Sequence, residues 1–175
     1  MIQIKEKQFV PFITEEQLFQ RVSEIGREIT EDYQGSSPLI IGIMNGAFMF
    51  LSDLARHIDL PVEISFMRIS SYESMASTGN IRPIIGLDSN LMGRDVIIVE
   101  DIVDTGNSMS YLLDVIQEKK PKSIQIVSLL LKPEALRKSI WVKYIGFEIP
   151  NKFVVGYGLD YDGYGRNLKE IYQLM

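Results

Sequence analysis

The chain has 175 residues, enough for one domain with a substantial core, and its apolar content of 46% and charged content of 23% are ordinary for a globular protein. A net charge of −5 argues against a nucleic-acid-binding surface. The absence of cysteine excludes disulfides, thiolate metal sites and cysteine nucleophiles, and suits a reducing, cytoplasmic compartment. Met1 to Lys7 lacks the apolar run of a signal peptide, and no apolar stretch approaches the ~20 residues that span a bilayer, so no membrane partner is expected. With no repeat and no linker, residues 1–175 read as a single domain.

Residues 14–34 read as a helix: Thr14 and Gln17 form a capping-box pattern, Leu18, Val22, Ile25 and Ile29 make a buried stripe, and Gly35 ends it. Pro38 to Ile43 reads as a buried strand. The turn Met44-Asn45-Gly46-Ala47 follows, then a helix with Phe48, Leu51, Leu54, Ala55 and Ile58 facing inward. A turn between a buried strand and a helix is a candidate anion site, although Asn45-Gly46 by itself also reads as a plain turn. His57, the only histidine, lies on that helix and reads as a surface or half-buried residue. One histidine cannot build a His-based triad or zinc site. Val62, Ile64 and Phe66 alternate with Glu63 and Ser65 as in a half-exposed strand. The polar stretch 70–80 has no period and reads as either a functional lid or an idle surface loop. Ile81 to Leu87 returns as the second arm of a hairpin, and Gly93-Arg94 turns the chain into its central element.

That element opens with Val96-Ile97-Ile98-Val99, four β-branched residues in a row, the signature of a strand buried on both faces. Glu100 and Asp101 stand at its carboxyl end, followed by Asp104, Thr105, Gly106, Asn107 and Ser108. Met109, Leu112, Leu113 and Ile116 then repeat at helical spacing, and Lys119, Lys120 and Pro121 close the helix. In open α/β sheets, ligands bind outside the carboxyl ends of the strands. Thr105 to Ser108 can offer backbone N–H groups and two hydroxyls to a phosphate at a helix N-terminus. Glu100 and Asp101 suit ribose hydroxyls, or a hard cation that itself holds a phosphate. Together they point to a phosphorylated sugar with a magnesium ion. There is no Walker P-loop and no complete G-x-G-x-x-G fingerprint.

Further on, Ser123 to Leu131 is a nearly all-apolar strand ending at Lys132, a position where lysine is usually exposed. Residues 133–140 read as a loop. Phe153, before Val154 and Val155, reads by itself as core, and Glu170 to Leu174 reads as an edge strand.

The string Val99-Glu100-Asp101-Ile102-Val103-Asp104-Thr105-Gly106 resembles the phosphoribosyl-diphosphate-binding motif of the type I phosphoribosyltransferases. The resemblance runs from about residue 10 to the end. Ser71-Tyr72 and the segment Phe147 to Tyr161 are similar to the 6-oxopurine, or hypoxanthine-guanine, branch. It implies an α/β fold: a mostly parallel sheet with helices on both faces, plus a small hood from the terminal segments. It implies a Mg²⁺-dependent purine-salvage reaction, in which phosphoribosyl diphosphate and hypoxanthine or guanine give IMP or GMP and pyrophosphate.

The implied site follows residue by residue. Asp104 acts as base toward N7 of the purine, and Ser71 and Tyr72 belong to a mobile loop closing over the reacting centre. Glu100 and Asp101 hold the ribose hydroxyls directly or through metal, and Asp160 is a further metal ligand. Thr105, Gly106, Asn107 and Ser108 hold the 5′-phosphate. Asn45 and Gly46 form the pyrophosphate loop, with Asn45 in place of the lysine that members often carry, and Arg166 lies near the pyrophosphate. Lys132 donates to the oxygen at C6 of the purine, Phe153 stacks on the base, and the main chain near Val154 reads its edge. The resemblance also implies a homodimer or homotetramer. Two rivals remain: a non-catalytic sensor of phosphoribosyl diphosphate, and a transferase preferring xanthine.

Overall fold

The computed structural model describes residues 1–70, 82–85 and 90–175, the backbone alone at 70 and 82–85. In chain order the elements are β1 (Ile2–Ile4), β2 (Lys7–Ile13), α1 (Glu15–Asp32), β3 (Leu39–Met44), α2 (Phe48–Arg56), β4 (Glu63–Ser70), β5 (Arg82–Ile85), β6 (Asp95–Val103), α3 (Asn107–Gln117), β7 (Ser123–Leu131), β8 (Tyr144–Glu148), β9 (Val154–Val155) and β10 (Ile171–Leu174). Six strands form one sheet in the order β5-β4-β3-β6-β7-β8. It is parallel except for β5, which runs antiparallel to β4 as the return arm of the expected hairpin. The other four form an antiparallel sheet, β1-β2-β10-β9, which is the hood of terminal segments.

The four β-branched residues of β6 explain why helices lie on both faces. Successive side chains of a strand point to opposite sides. Ile97 and Val99 enter one core with α1 and α2, through Leu18, Val22, Ile25, Ile29, Phe50, Leu51 and Leu54. Val96 and Ile98 enter a second core with Met109, Leu112 and Ile116 of α3. The first core also takes in Ile13, Val154, Leu159 and Ile171, which joins the hood to the main sheet. Helix α1 starts as expected: the Thr14 hydroxyl accepts from the Gln17 N–H, and the Gln17 side chain accepts from the Thr14 N–H.

Several expectations need correction. In α2 the buried aromatic is Phe50, whereas Phe48 is exposed in the first turn. Leu51, Leu54 and Ile58 are buried, and His57 is half-buried, edge-on to Phe19. In β4 the apolar Ile64 and Phe66 are exposed along with Glu63 and Arg68, while Met67 is buried. The nine-residue α2 packs on β3. Strand β10, read as an edge, lies inside the hood between β2 and β9. Its neighbour β2 comes from the far end of the chain, and Pro11 within β2 is accommodated by a register shift at Ile171/Tyr172.

The strand order fixes where a ligand can enter. From β3 the chain passes through α2 on one face to β4 on one side. From β6 it passes through α3 on the other face to β7 on the opposite side. The order therefore reverses between β3 and β6, and such a switch point opens a crevice at the strands' carboxyl ends. The register shows it opening: β6 pairs with β3 only as far as Val99, but stays paired with β7 through Val103.

Candidate active site

Three loops meet at this rim: Met44–Ala47 after β3, Asp104–Gly106 after β6, and Lys132 after β7. Glu100 and Asp101 lie in the second half of β6, and Glu100 stands opposite Ser128 of β7. Both line a cavity of about 300 Å³ with Gly46, Asp104, Thr105, Gly106, Ser108, Asp160 and Arg166. A second pocket of about 250 Å³ is lined by Asp101, Ile102, Asp104, Lys132, Phe153, Val154, Leu159 and Asp160. The two share Asp101, Ile102, Asp104 and Asp160 as a common wall.

Each part has a local cause. Gly106 is the N-cap of α3 at φ +80° and carries no capping side chain, so the helix N-terminus opens on the cavity with only a long bond, 3.4 Å from the Asn107 N–H to the Thr105 hydroxyl, at its first turn. Thr105 and Ser108 face the cavity with it, while Asn107 is exposed and does not line it. At Gly46 a Cβ would fall 1.5 Å from Asp101 Oδ2, and at Gly158 one would fall 2.1 Å from the Gly46 carbonyl oxygen. The β3 loop is thus held between the β6 acids and the loop after β9 by residues that have no side chain. The Met44–Asn45 peptide is cis, and the Asn45 side chain is exposed outside the cavity lining.

Electrostatics distinguishes the two ends. Burial holds the Glu100 carboxyl well above the usual carboxylate range, and the charge of Asp101 adds to this. Burial also pushes Asp101 up, against the hydrogen bond from Glu100 and the Ile102 N–H at 2.9 Å. Two adjacent carboxylates that resist ionisation are a fit for a divalent cation, which removes the penalty. Among the described residues no three metal-ligating side chains converge.

Asp160 is half-buried, paired with Arg166 Nη2 at 2.6 Å and accepting from the Gly163 N–H at 2.6 Å. Arg166 also donates to the Gly158 carbonyl at 2.7 Å, so it braces this loop as well as lining the cavity. At the other end Lys132, 7% exposed, is not the solvated lysine its position suggests. Its Nζ donates to Asp104 Oδ2 at 2.9 Å. Phe153 is 42% exposed, too open for a core residue, and lines the second pocket. Val154 beside it is buried, in the outermost strand of the hood sheet, where one side of its main chain has no ladder partner. Ser71 and Tyr72 lie outside the described residues. Ile102 and Leu159 line the second pocket without having been singled out; their only signal was their place inside the two matching segments.

The profile of the phosphoribosyl transferase domain matches residues 13–162, most of the chain and all the rim residues except Arg166. The chain belongs to the phosphoribosyltransferase family. Within that family, it is 46% identical over 160 residues to a hypoxanthine-guanine phosphoribosyltransferase of Bacillus subtilis, covering 91% of this chain and 89% of the relative. The crystal structure of a hypoxanthine-guanine phosphoribosyltransferase from Bacillus anthracis superposes with a TM-score of 0.91 at 37% identity, covering 97% of this chain and 98% of that one. A hypoxanthine phosphoribosyltransferase from Staphylococcus aureus superposes with a TM-score of 0.90 at 41% identity, covering 95% and 91%. These phosphoribosyltransferases match the hood as well as the main sheet.

Proposed function

We propose that this enzyme salvages 6-oxopurines, transferring the phosphoribosyl group of phosphoribosyl diphosphate to N9 of hypoxanthine or guanine and releasing pyrophosphate. The supporting observation is the pair of abutting pockets. One has the N-terminus of α3, with no side chain at its N-cap, beside two carboxylates. The other brings Ile102, Phe153, Val154 and Leu159 together with one buried ammonium and the shared aspartates. One molecule with a phosphate, a ribose and a base fits them in that order. The relatives act on hypoxanthine and guanine by name, and the presence of both Tyr72 and Asp104 in the sequence favours a transferase over a sensor that has lost its chemistry.

Thr105, Gly106 and Ser108 hold the 5′-phosphate through main-chain N–H groups, hydroxyls and the α3 dipole, with Asn107 in the same first turn. Gly46 presents main chain to the diphosphate. Asn45 cannot supply the charge of a lysine there, so that loop relies on its backbone. Glu100 and Asp101 would hold the ribose hydroxyls and Mg²⁺, with Asp160 as a further ligand. When bound, the ion offsets the charge of the leaving pyrophosphate. As the bond to pyrophosphate breaks, the anomeric carbon gains oxocarbenium character, which the rim's negative charge stabilises. Asp104 takes the proton from N7. Phe153 stacks on the purine, the Val154 main chain reads its edge, and Arg166 keeps the Asp160 loop against the diphosphate site. Ser71 and Tyr72 are assigned to closing the site against water. The core shared by hood and sheet supports a single domain spanning 1–175, and a homodimer or homotetramer in the cytoplasm is the proposed working form.

The test is an assay with phosphoribosyl diphosphate, Mg²⁺ and each of adenine, hypoxanthine, guanine and xanthine. Lys132 is a pure donor, and adenine presents another donor at C6. A site built on one polar contact rejects the mismatched analogue by about 10⁴-fold. Strong turnover on hypoxanthine and guanine and almost none on adenine is expected, with Lys132→Gln eroding the difference. Equal rates on adenine and hypoxanthine would remove Lys132 from the base and the 6-oxopurine assignment with it.

A further inference from the structure

We propose that Lys7, at the start of β2, is a positioning residue for the ring of Phe153 and thereby sets the affinity for the purine base. The proposal rests on the reading of Phe153 as the stacking residue. A phenyl ring has no hydrogen-bonding group, so only packing fixes its orientation. Phe153 is open on its pocket side, which leaves its remaining contacts to hold it.

Those contacts come from the opposite end of the chain. The Lys7 ammonium lies 4.2 Å from the centroid of the Tyr161 ring and 5.5 Å from that of Phe153, within reach of both π-systems. Tyr161 meets Phe153 edge-on, with centroids 5.9 Å apart and planes at 84°. Phe9, two residues along β2 from Lys7, completes the cluster at 6.4 Å from each ring. The Tyr161 hydroxyl donates to the Glu6 carboxylate, and the Tyr161 main chain exchanges two hydrogen bonds with Tyr164. Glu6 of the β1–β2 turn and Tyr164 of the loop after β9 thus fix Tyr161, and Lys7 couples both aromatic rings to the start of β2. Holding the Phe153 ring before the base arrives reduces the ordering cost of binding it. Lys7 is half-buried, lines neither pocket and does not touch the reacting atoms. Its effect should therefore fall on the base alone.

Lys7→Met keeps the stem and removes the charge, and Lys7→Arg keeps a cation that packs on aromatic faces. Steady-state kinetics of both variants and of Phe153→Ala would be measured for hypoxanthine and phosphoribosyl diphosphate, with melting temperatures. Lys7→Met is expected to raise KM for hypoxanthine about two- to fivefold, the range of one exposed cation–π contact. KM for phosphoribosyl diphosphate should not change, the melting temperature should fall by no more than about 1–4 °C, and Lys7→Arg should restore the base KM. If Phe153→Ala raises the base KM and Lys7→Met does not, the proposal is overturned and the site reading stands. If Phe153→Ala leaves the base KM unchanged, the stacking role itself fails, and the Lys7 proposal with it. Equal rises in both substrates' KM values for Lys7→Met would mark a general structural role and overturn it.

Discussion

Asp104 gives one carboxylate oxygen to the buried ammonium of Lys132, and its side chain is still 44% exposed on the wall between the two pockets. Lys132 has three N–H donors, so it can hold Asp104 and the C6 oxygen of a purine together. Such an arrangement places the base's carbonyl and N7 toward donor and acceptor respectively. Asp104→Asn keeps the shape and loses the acceptor of the proton. A fall in kcat of about 10²–10⁴ is expected, the usual size for a general base, with phosphoribosyl diphosphate affinity nearly unchanged. Undiminished turnover would exclude Asp104 from that role.

Glu100 gives a stability prediction of opposite sign. A carboxyl whose folded-state pKa is raised favours folding while it is protonated. That contribution is complete below its ordinary value of 4.5 and is lost as pH rises through the raised one. In metal-free protein at neutral pH, Glu100→Gln should therefore raise the melting temperature, by about 2–4 °C for each kcal/mol relieved. The gain should vanish near pH 4.5 and the variant should lose activity. A lower melting temperature at pH 7 would show that the ionised pair is satisfied without metal.

At the scale of elements, Tyr157 ties the loop after β9 to α2. Its hydroxyl donates to Asp53 Oδ2 at 2.6 Å, and burial, with the Asp53 charge, raises its pKa. Tyr157 sits at φ +48°, a backbone cost that phenylalanine would share, so Tyr157→Phe isolates the hydroxyl. A bond to a charged acceptor is worth about 1.5–3 kcal/mol, or a fall of about 3–12 °C in a domain of this size. Calorimetry would measure it, and an unchanged melting temperature would mean that water serves Asp53 equally well.

The elements legible in the sequence were those whose burial is decided locally. Strands β3, β6 and β7 are runs of β-branched and leucine residues buried on both faces, and α1 carries its own capping box. The N-terminal hairpin was not legible, because Pro11 breaks the pattern of β2 and its partner β10 lies some 160 residues away. The acid rim was legible because one short string carries it. The burial of Lys132 was not, since it depends on Asp104 and on the loop holding Phe153 and Leu159. The Lys7–Tyr161–Phe153 cluster joins opposite ends of the chain and leaves no local signal.

At the scale of the whole molecule, the proposed function divides the substrates between the two sheets. In that reading the main sheet and α3 would supply the phosphate and ribose side, and the hood would supply Phe153 and Val154 over the base. The main sheet's site already holds two carboxylates that burial keeps from ionising readily. Phosphoribosyl diphosphate is itself a polyanion, so the free anion brings no charge that would let the two carboxyls ionise, whereas its Mg²⁺ complex brings the missing positive charge. A ligand at 100 times its Kd stabilises the folded state by about 2.7 kcal/mol. At about 2–4 °C for each kcal/mol, this is a rise of about 5–10 °C in melting temperature. Thermal unfolding is expected to show that rise with phosphoribosyl diphosphate and Mg²⁺ together. The same ligand with a chelator, or Mg²⁺ alone, should give little of it, since each supplies only half of the charge balance. Equal shifts with and without the chelator would mean that Glu100 and Asp101 bind the ribose hydroxyls directly, and would take the metal out of diphosphate binding.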